Sequence, residues 1–286
     1  MWLLFASLNP VSESLKGVFS KRASKEVDPV LISWFNNIVP ALFYFPLLFF
    51  IEINWEPDFI VGVLVSGSIN IVTAILYHKA LKYGDISKVV PMLSFTPLFL
   101  LLTAPLITGE KPGILGLLGV ILIVAGSYLL NVKGKNGGIF SPFKEVVKNK
   151  GSRYMLIISF LWSFSSVFDK LAINSVSIWQ YIAIINLYIS AGLTVYAISK
   201  GVLKLEEIKK QKMNLMAVGL FTTLSFFFHF KALSMNFTAY TIAMKRTTGL
   251  ISVILGKIFF GEAGIRGRFF AALLMFLGVI LIIFSM

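Results

Sequence analysis

Apolar runs of about twenty residues recur along the whole chain, each bounded by charge, glycine or proline. That length is what an α-helix needs to cross a hydrocarbon core of about 30 Å. The pattern predicts ten spans, at 2–20, 30–51, 59–81, 86–108, 113–131, 154–173, 177–199, 214–234, 238–260 and 267–285. No ten-residue segments of strict alternation occur, so a transmembrane β-barrel is excluded as the reading. The expected fold is an all-α integral membrane protein, multi-pass, with the lipid bilayer as its surroundings.

The longest polar stretch, 131–153, holds Gly134, Gly137, Gly138, Pro142 and several lysines, and it separates two sets of five spans. The sets are related by a constant offset of 152. Lys79-Ala80-Leu81 matches Lys231-Ala232-Leu233, and Gly109-Glu110 matches Gly261-Glu262. Met92, Thr96, Leu98 and Gly126 match Met244, Thr248, Leu250 and Gly278. The expected organisation is a first five-helix repeat at 1–131, a basic connector at 132–153 and a second five-helix repeat at 154–286. An odd number of spans per repeat turns the second copy over in the membrane, the inverted-repeat device of secondary transporters.

Composition agrees with this and removes several function classes. Of 286 residues, 57% are hydrophobic and 14% charged, where a soluble domain carries roughly a quarter charged. There is no cysteine, which excludes disulfides and thiolate chemistry, and the two histidines, His78 and His229, are too few to suggest a metal centre. No cofactor is expected. The net charge of +13 is dispersed among connectors and forms no single patch, so it argues for topology and against nucleic acid. Connectors 1–2, 5–6 and 7–8 carry three, six and five Lys/Arg, whereas the even connectors carry only Lys111, and connector 2–3 is acidic through Glu52, Glu56 and Asp58. By this bias the odd connectors are cytoplasmic and both termini lie outside. The N-terminus lacks a basic leader and reads as the first span.

The block Tyr77-His78-Lys79-Ala80-Leu81-Lys82-Tyr83-Gly84-Asp85, then Pro91 to Leu98, then Gly109-Glu110-Lys111, resembles the EamA-like branch of the drug/metabolite transporter superfamily. The second copy, from Lys231 to Glu262, resembles the same element again, and the likeness covers essentially the whole chain. The resemblance implies ten helices in two inverted repeats, a central cavity, and transport of small metabolites across a cell membrane. It also implies cytoplasmic termini, opposite to the orientation read from charge. The dipeptide Lys245-Arg246 is similar to a basic pair in the ninth helix of triose-phosphate and nucleotide-sugar translocators, which carry phosphorylated anions.

Lys245 and Arg246 are the leading site. They sit roughly 11–12 Å inside the ninth span, where one cation costs on the order of 2.5–3.5 kcal/mol on insertion scales. Their counterparts at offset 152 are Leu93 and Ser94, so repeat scaffolding does not demand them. They are expected to hold an anionic group of the substrate, the competing reading being snorkelling and structural pairing. Ser94, Trp162, Ser166, His229 and Asn70 are candidate pocket-lining positions, although interhelical hydrogen bonding explains such residues equally well. Glu13, three residues from Lys16 on one helix face, is the candidate coupling carboxylate. Lys79 and Lys231, and Glu110 and Glu262, recur at the offset of 152 and read as architecture, with Lys79 and Lys231 expected to bond helix C-terminal carbonyls. Lys16 and Lys170, 154 residues apart, resemble the lysine that closes the first helix of each repeat in the EamA-like family. Pro91, Pro97 and Pro105 predict a kinked fourth helix, with Gly249 opposite Pro97 in the ninth.

No phosphate-binding loop, His-Glu-x-x-His or Gly-x-Ser-x-Gly is present, so the chain is not expected to be an enzyme. The expectation is a secondary transporter of a small organic metabolite, monomeric or oligomeric. The alternatives are a membrane-embedded enzyme or a non-transporting receptor or scaffold.

Overall fold

The computed structural model describes residues 1–83, 90–131, 149–260 and 269–285. Glu262, most of the 132–153 connector and the predicted starts of spans four and ten lie outside the described residues. Every described element is helical. The helices are α1 (Trp2–Ala23), α2 (Pro29–Tyr44), α3 (Pro57–Tyr83), α4 (Thr96–Ile107), α5 (Ile114–Asn131), α6 (Lys150–Ser175), α7 (Ile178–Ser199), α8 (Leu205–Met235), α9 (Thr238–Lys245), α10 (Thr248–Phe260) and α11 (Phe269–Phe284). Short 3₁₀ helices at Phe45–Phe49 and Val90–Phe95 extend α2 and precede α4. Among the described residues, five stretches are long and apolar enough to cross a membrane: Pro29–Phe49, Pro57–Tyr77, Lys150–Ser175, Ile178–Ser199 and Glu206–Met235.

Local chemistry sets the helix ends. Asp28 accepts the Val30 N–H at 2.7 Å with Pro29 in the first turn, and Ser177 accepts the Gln180 N–H at 3.2 Å. Gly109, at φ +69°, follows the end of α4 in the left-handed region, a conformation most side chains resist.

Two predicted spans are not continuous. The fourth begins as the 3₁₀ turn Val90–Phe95 and becomes α-helical only at Thr96, with Pro97 in the first turn, where its missing N–H has no partner to lose. The ninth is divided into α9 and α10 between Lys245 and Thr248. The second break has no proline; Gly249 stands in that register, its N–H turned back to the Arg246 carbonyl at 3.1 Å. The eighth span starts earlier than its apolar run, because α8 includes the polar turn Leu205–Lys212, with Gln211 out of helical geometry at φ −112°, ψ 17°.

The chain forms two compact units, Met1–Ile71 with Phe168–Met235, and Val72–Val167 with Asn236–Met286. Each draws on both sequence halves, and the divisions fall inside α3, inside α6 and between α8 and α9. In the first unit α1 packs along α8, and α2 packs on α7 and α8. Small residues permit the close approaches: a Cβ on Gly62 would stand 2.7 Å from the Phe168 carbonyl oxygen, and one on Gly219 would strike Val39. The α1–α2 connector meets the polar start of α8 at one end, where Gln211 donates to Glu26 at 2.9 Å. At the other end Asn54 and Gln180 exchange hydrogen bonds of 3.1 and 2.6 Å.

In the second unit α5 and α11 pack along each other. A Cβ on Gly119 would lie 2.7 Å from the carbonyl oxygen of Gly278, and one on Gly126 would lie 2.7 Å from that of Ala271. Adding 152 to 119 gives 271, and adding it to 126 gives 278, so the two contacts exchange when the halves are exchanged.

Candidate functional site

The fixed point of the second unit is α9. Every residue from Thr238 to Met244 is buried, and the helix packs on α4 and α5. Glu110, released from α4 by the turn at Gly109, reaches its N-terminus. The buried carboxylate accepts the Thr238 N–H at 2.6 Å and the Thr238 hydroxyl at 2.8 Å. A negative charge there satisfies an orphan donor and meets the positive end of the helix dipole. One turn on, fully buried Tyr240 fills the space that Gly116 of α5 leaves open.

At its other end α9 stops on the basic pair. Lys245 is its last residue and Arg246 caps it, its N–H turned back to the Ala243 carbonyl at 2.9 Å. Both side chains are half-buried. Thr248 opens α10 and donates its hydroxyl to the Lys245 carbonyl at 2.6 Å. In the first repeat Thr96 opens α4 and donates to the Leu93 carbonyl at 3.0 Å. Leu93 and Lys245 occupy the same register, and so do Ser94 and Arg246; the break is duplicated and the charge is not.

The second unit also carries a set of polar pairs. Ser94 bonds Ser127 at 2.9 Å, and Thr96 bonds Ser159 of α6 at 3.0 Å. Trp162 donates its indole N–H to Thr73 at 3.0 Å and packs beside the apolar cluster of Ala80, Met92, Leu93, Tyr128, Met155 and Ile158. Ser166 donates to the Trp162 carbonyl at 2.9 Å. Thus Ser94, Trp162, Ser166, Lys245 and Arg246 all belong to one unit. Lys79 belongs there too and is exposed.

Asn70, His229, Glu13, Lys16, Lys170 and Lys231 belong to the first unit. Glu13 pairs with Lys16 and accepts the Ser225 hydroxyl at 2.6 Å, while Asn9 donates to that same hydroxyl at 2.9 Å. Asn70 donates to the Ser66 carbonyl at 2.9 Å, a bond within its own helix. His229 is buried with its ring 5.1 Å from that of Phe230. The carbonyl-bonding role expected of Lys231 at the end of α8 is filled by Lys170, whose buried ammonium donates to Leu233 at 2.5 Å.

One buried group carried little signal in the sequence. Asp169, on α6, accepts hydrogen bonds from the hydroxyls of Ser66 on α3 and Tyr181 on α7, and all three are buried. In the sequence it stands beside Lys170; in the folded unit it ties three helices together. A carboxylate deep in an apolar run was the only sign. Among the described residues, no three His, Asp or Glu side chains gather as metal ligands would.

The model of the EamA-like transporter family matches residues 1–132 and 149–284. Comparison with curated proteins finds no match. Among solved structures, a crystal structure of a protein 14% identical in sequence aligns with a TM-score of 0.76, covering 98% of this chain and 94% of that chain. At that identity the likeness shows a shared fold.

Proposed function

From the premise that the chain belongs to the EamA-like transporter family, and so is a multi-pass membrane transporter of small solutes, we propose that it is a secondary transporter of a small organic metabolite bearing an anionic group. Members of the family are transporters rather than enzymes. The observation that carries the anionic part is the placement of Lys245 and Arg246 at the division between α9 and α10. There a buried half-helix delivers two cations to a break whose first-repeat counterpart has Leu93 and Ser94. Discontinuous spans with polar groups at the break are how several transporter folds build midplane sites.

In this reading Arg246 takes the carboxylate or phosphate of the substrate and Lys245 adds to the local field. Ser94 and Trp162 belong to the surrounding wall, and Ser166 supports Trp162 through its backbone. The chain crosses the plasma membrane ten times as two inverted repeats. The exchange of the Gly119–Gly278 and Gly126–Ala271 contacts under the 152-residue offset supports that symmetry, as do the matched breaks at Thr96 and Thr248. Alternating access then arises from the near-equivalence of the halves, with Glu13, bridging α1 and α8 through Ser225, as the carboxylate that couples flux to protons.

The test is substrate flux in liposomes, after a thermal-shift screen of carboxylates and phosphorylated metabolites against the purified protein. Losing one charge-assisted bond of about 1.5–3 kcal/mol predicts that Arg246→Gln weakens apparent affinity for the anionic substrate at least about 10-fold, with a smaller loss for Lys245→Gln. Unchanged affinity in both variants rejects the anionic assignment.

A further inference from the structure

The polar start of α8 has no role in the transport site. The segment Leu205-Glu206-Glu207-Ile208-Lys209-Lys210-Gln211-Lys212 is helical but kinked at Gln211, and the apolar run begins directly after it at Met213. Beyond the kink, Met213, Met216, Leu220 and Leu224 are 78%, 53%, 51% and 39% exposed. Their spacing of three, four and four residues is that of one helix face. At about 1.5 Å per residue the stripe is roughly 16 Å long, close to half of a hydrocarbon core of about 30 Å. It is therefore a lipid-facing stripe one leaflet deep, and Lys209, Lys210 and Lys212 lie on the short stretch of chain that leads through the kink at Gln211 into it.

The α1–α2 connector reaches the same level. Besides the Gln211–Glu26 bond, Glu207 accepts the Asp28 N–H at 3.4 Å, while Ile208 and Leu203 pack against the cluster of Ala23, Val27, Leu31 and Leu215. Most carboxylates at this end are already engaged. Lys204 bonds Glu207 at 3.0 Å, and that bond, with help from the Asp28 N–H, holds the Glu207 carboxyl below its usual range. Asp28 caps α2, and Glu26 accepts from Gln211. Lys25, Lys209, Lys210 and Lys212 are exposed and make no salt bridge among the described residues, with exposed Glu206 the one carboxylate there that no described partner engages.

We infer that this end of α8, together with Lys25 of the α1–α2 connector, is a binding surface for an anionic phospholipid. The phosphate lies against Lys209, Lys212 and Lys25, Lys210 adds to the field, and an acyl chain runs down Met213, Met216, Leu220 and Leu224. The kink at Gln211 marks the level where headgroups give way to hydrocarbon. A cation cluster immediately above a lipid-facing stripe selects an anionic over a zwitterionic headgroup, because only the former leaves net attraction after its own charges are counted. The inference is independent of the transport site and of what is transported.

The experiment is thermal unfolding of the purified full-length chain in detergent, titrated with phosphatidylglycerol, with phosphatidylcholine and with soluble glycerol 3-phosphate. Phosphatidylglycerol is expected to raise the Tm by several degrees, phosphatidylcholine to have little effect, and glycerol 3-phosphate to have no effect that the lysine substitutions below remove. The K25Q/K209Q/K210Q/K212Q variant is expected to need at least 10-fold more phosphatidylglycerol, while Lys111→Gln, which removes a positive charge elsewhere in the chain, leaves the dose response unchanged. The double variants K209Q/K210Q and K25Q/K212Q, each shifting the midpoint in the same direction, carry the test if the quadruple variant does not fold. An unshifted dose response in the variants, equal stabilisation by phosphatidylcholine, or a stabilisation by glycerol 3-phosphate that the quadruple variant loses would overturn the proposal.

Discussion

Thr96 and Thr248, 152 residues apart, hold the same bond. Each opens the α-helical part of a broken span and donates its hydroxyl to the carbonyl three residues earlier, at 3.0 and 2.6 Å. Thr96 is further tied to Ser159 on α6, whereas the accepting carbonyl of the second copy belongs to Lys245. The same local device thus closes an anchored break in one repeat and a charged one in the other.

Removing that device separates its two uses. A side-chain hydrogen bond in a membrane bundle contributes about 0.6 kcal/mol on average, so Thr96→Val and Thr248→Val are each expected to lower thermal stability only slightly. Thr248→Val is expected to reduce flux severalfold, because the carbonyl it frees belongs to the basic pair, and Thr96→Val to reduce it less. Paired flux and melting measurements on reconstituted protein check this; equal flux losses in the two variants contradict it.

Glu110 gives a second expectation. It accepts both the N–H and the hydroxyl of Thr238 at the start of a buried helix. Glu110→Gln keeps an acceptor but loses the charge facing the helix dipole, and Glu110→Ala loses both. Capping and dipole terms of about 0.5–2 kcal/mol predict a graded fall in unfolding temperature, Ala greater than Gln. A flat response in both would show that α9 is held in place by Tyr240 and Gly116 alone.

A third concerns the α5–α11 contact. A Cβ at Gly119 or Gly278 would stand 2.7 or 2.6 Å from the backbone oxygen of the other, and a backbone atom cannot rotate aside. Gly119→Val and Gly278→Val are expected to cost about 1–3 kcal/mol or more by overpacking. Gly113→Val, in open space, is expected to cost little. Yields of folded protein by size exclusion, with melting curves of what remains, provide the comparison.

Much of the architecture is legible along the chain. The spans are visible because lipid requires about twenty apolar residues and internally bonded backbone. The relation between the halves is visible because duplication preserves register, from Lys79 and Lys231 to Gly126 and Gly278. Lys245 and Arg246 stand out because charge is costly in that setting. The role of Asp169 is not legible in this way, since its partners Ser66 and Tyr181 lie 103 and 12 residues away on other helices.

The sequence by itself therefore determined the fold class, the order of the apolar runs and the identity of the charged residues within them, all consequences of solvation acting locally. Only the tertiary structure decided how those residues are used. It grouped both halves into each compact unit, placed Glu110 on a helix 128 residues away, gave the α8 carbonyl to Lys170 rather than Lys231, and set the division of span nine at the basic pair. The physical reason is that hydrogen bonds and close approaches between helices depend on which faces meet, and hydropathy along one helix does not specify its neighbour.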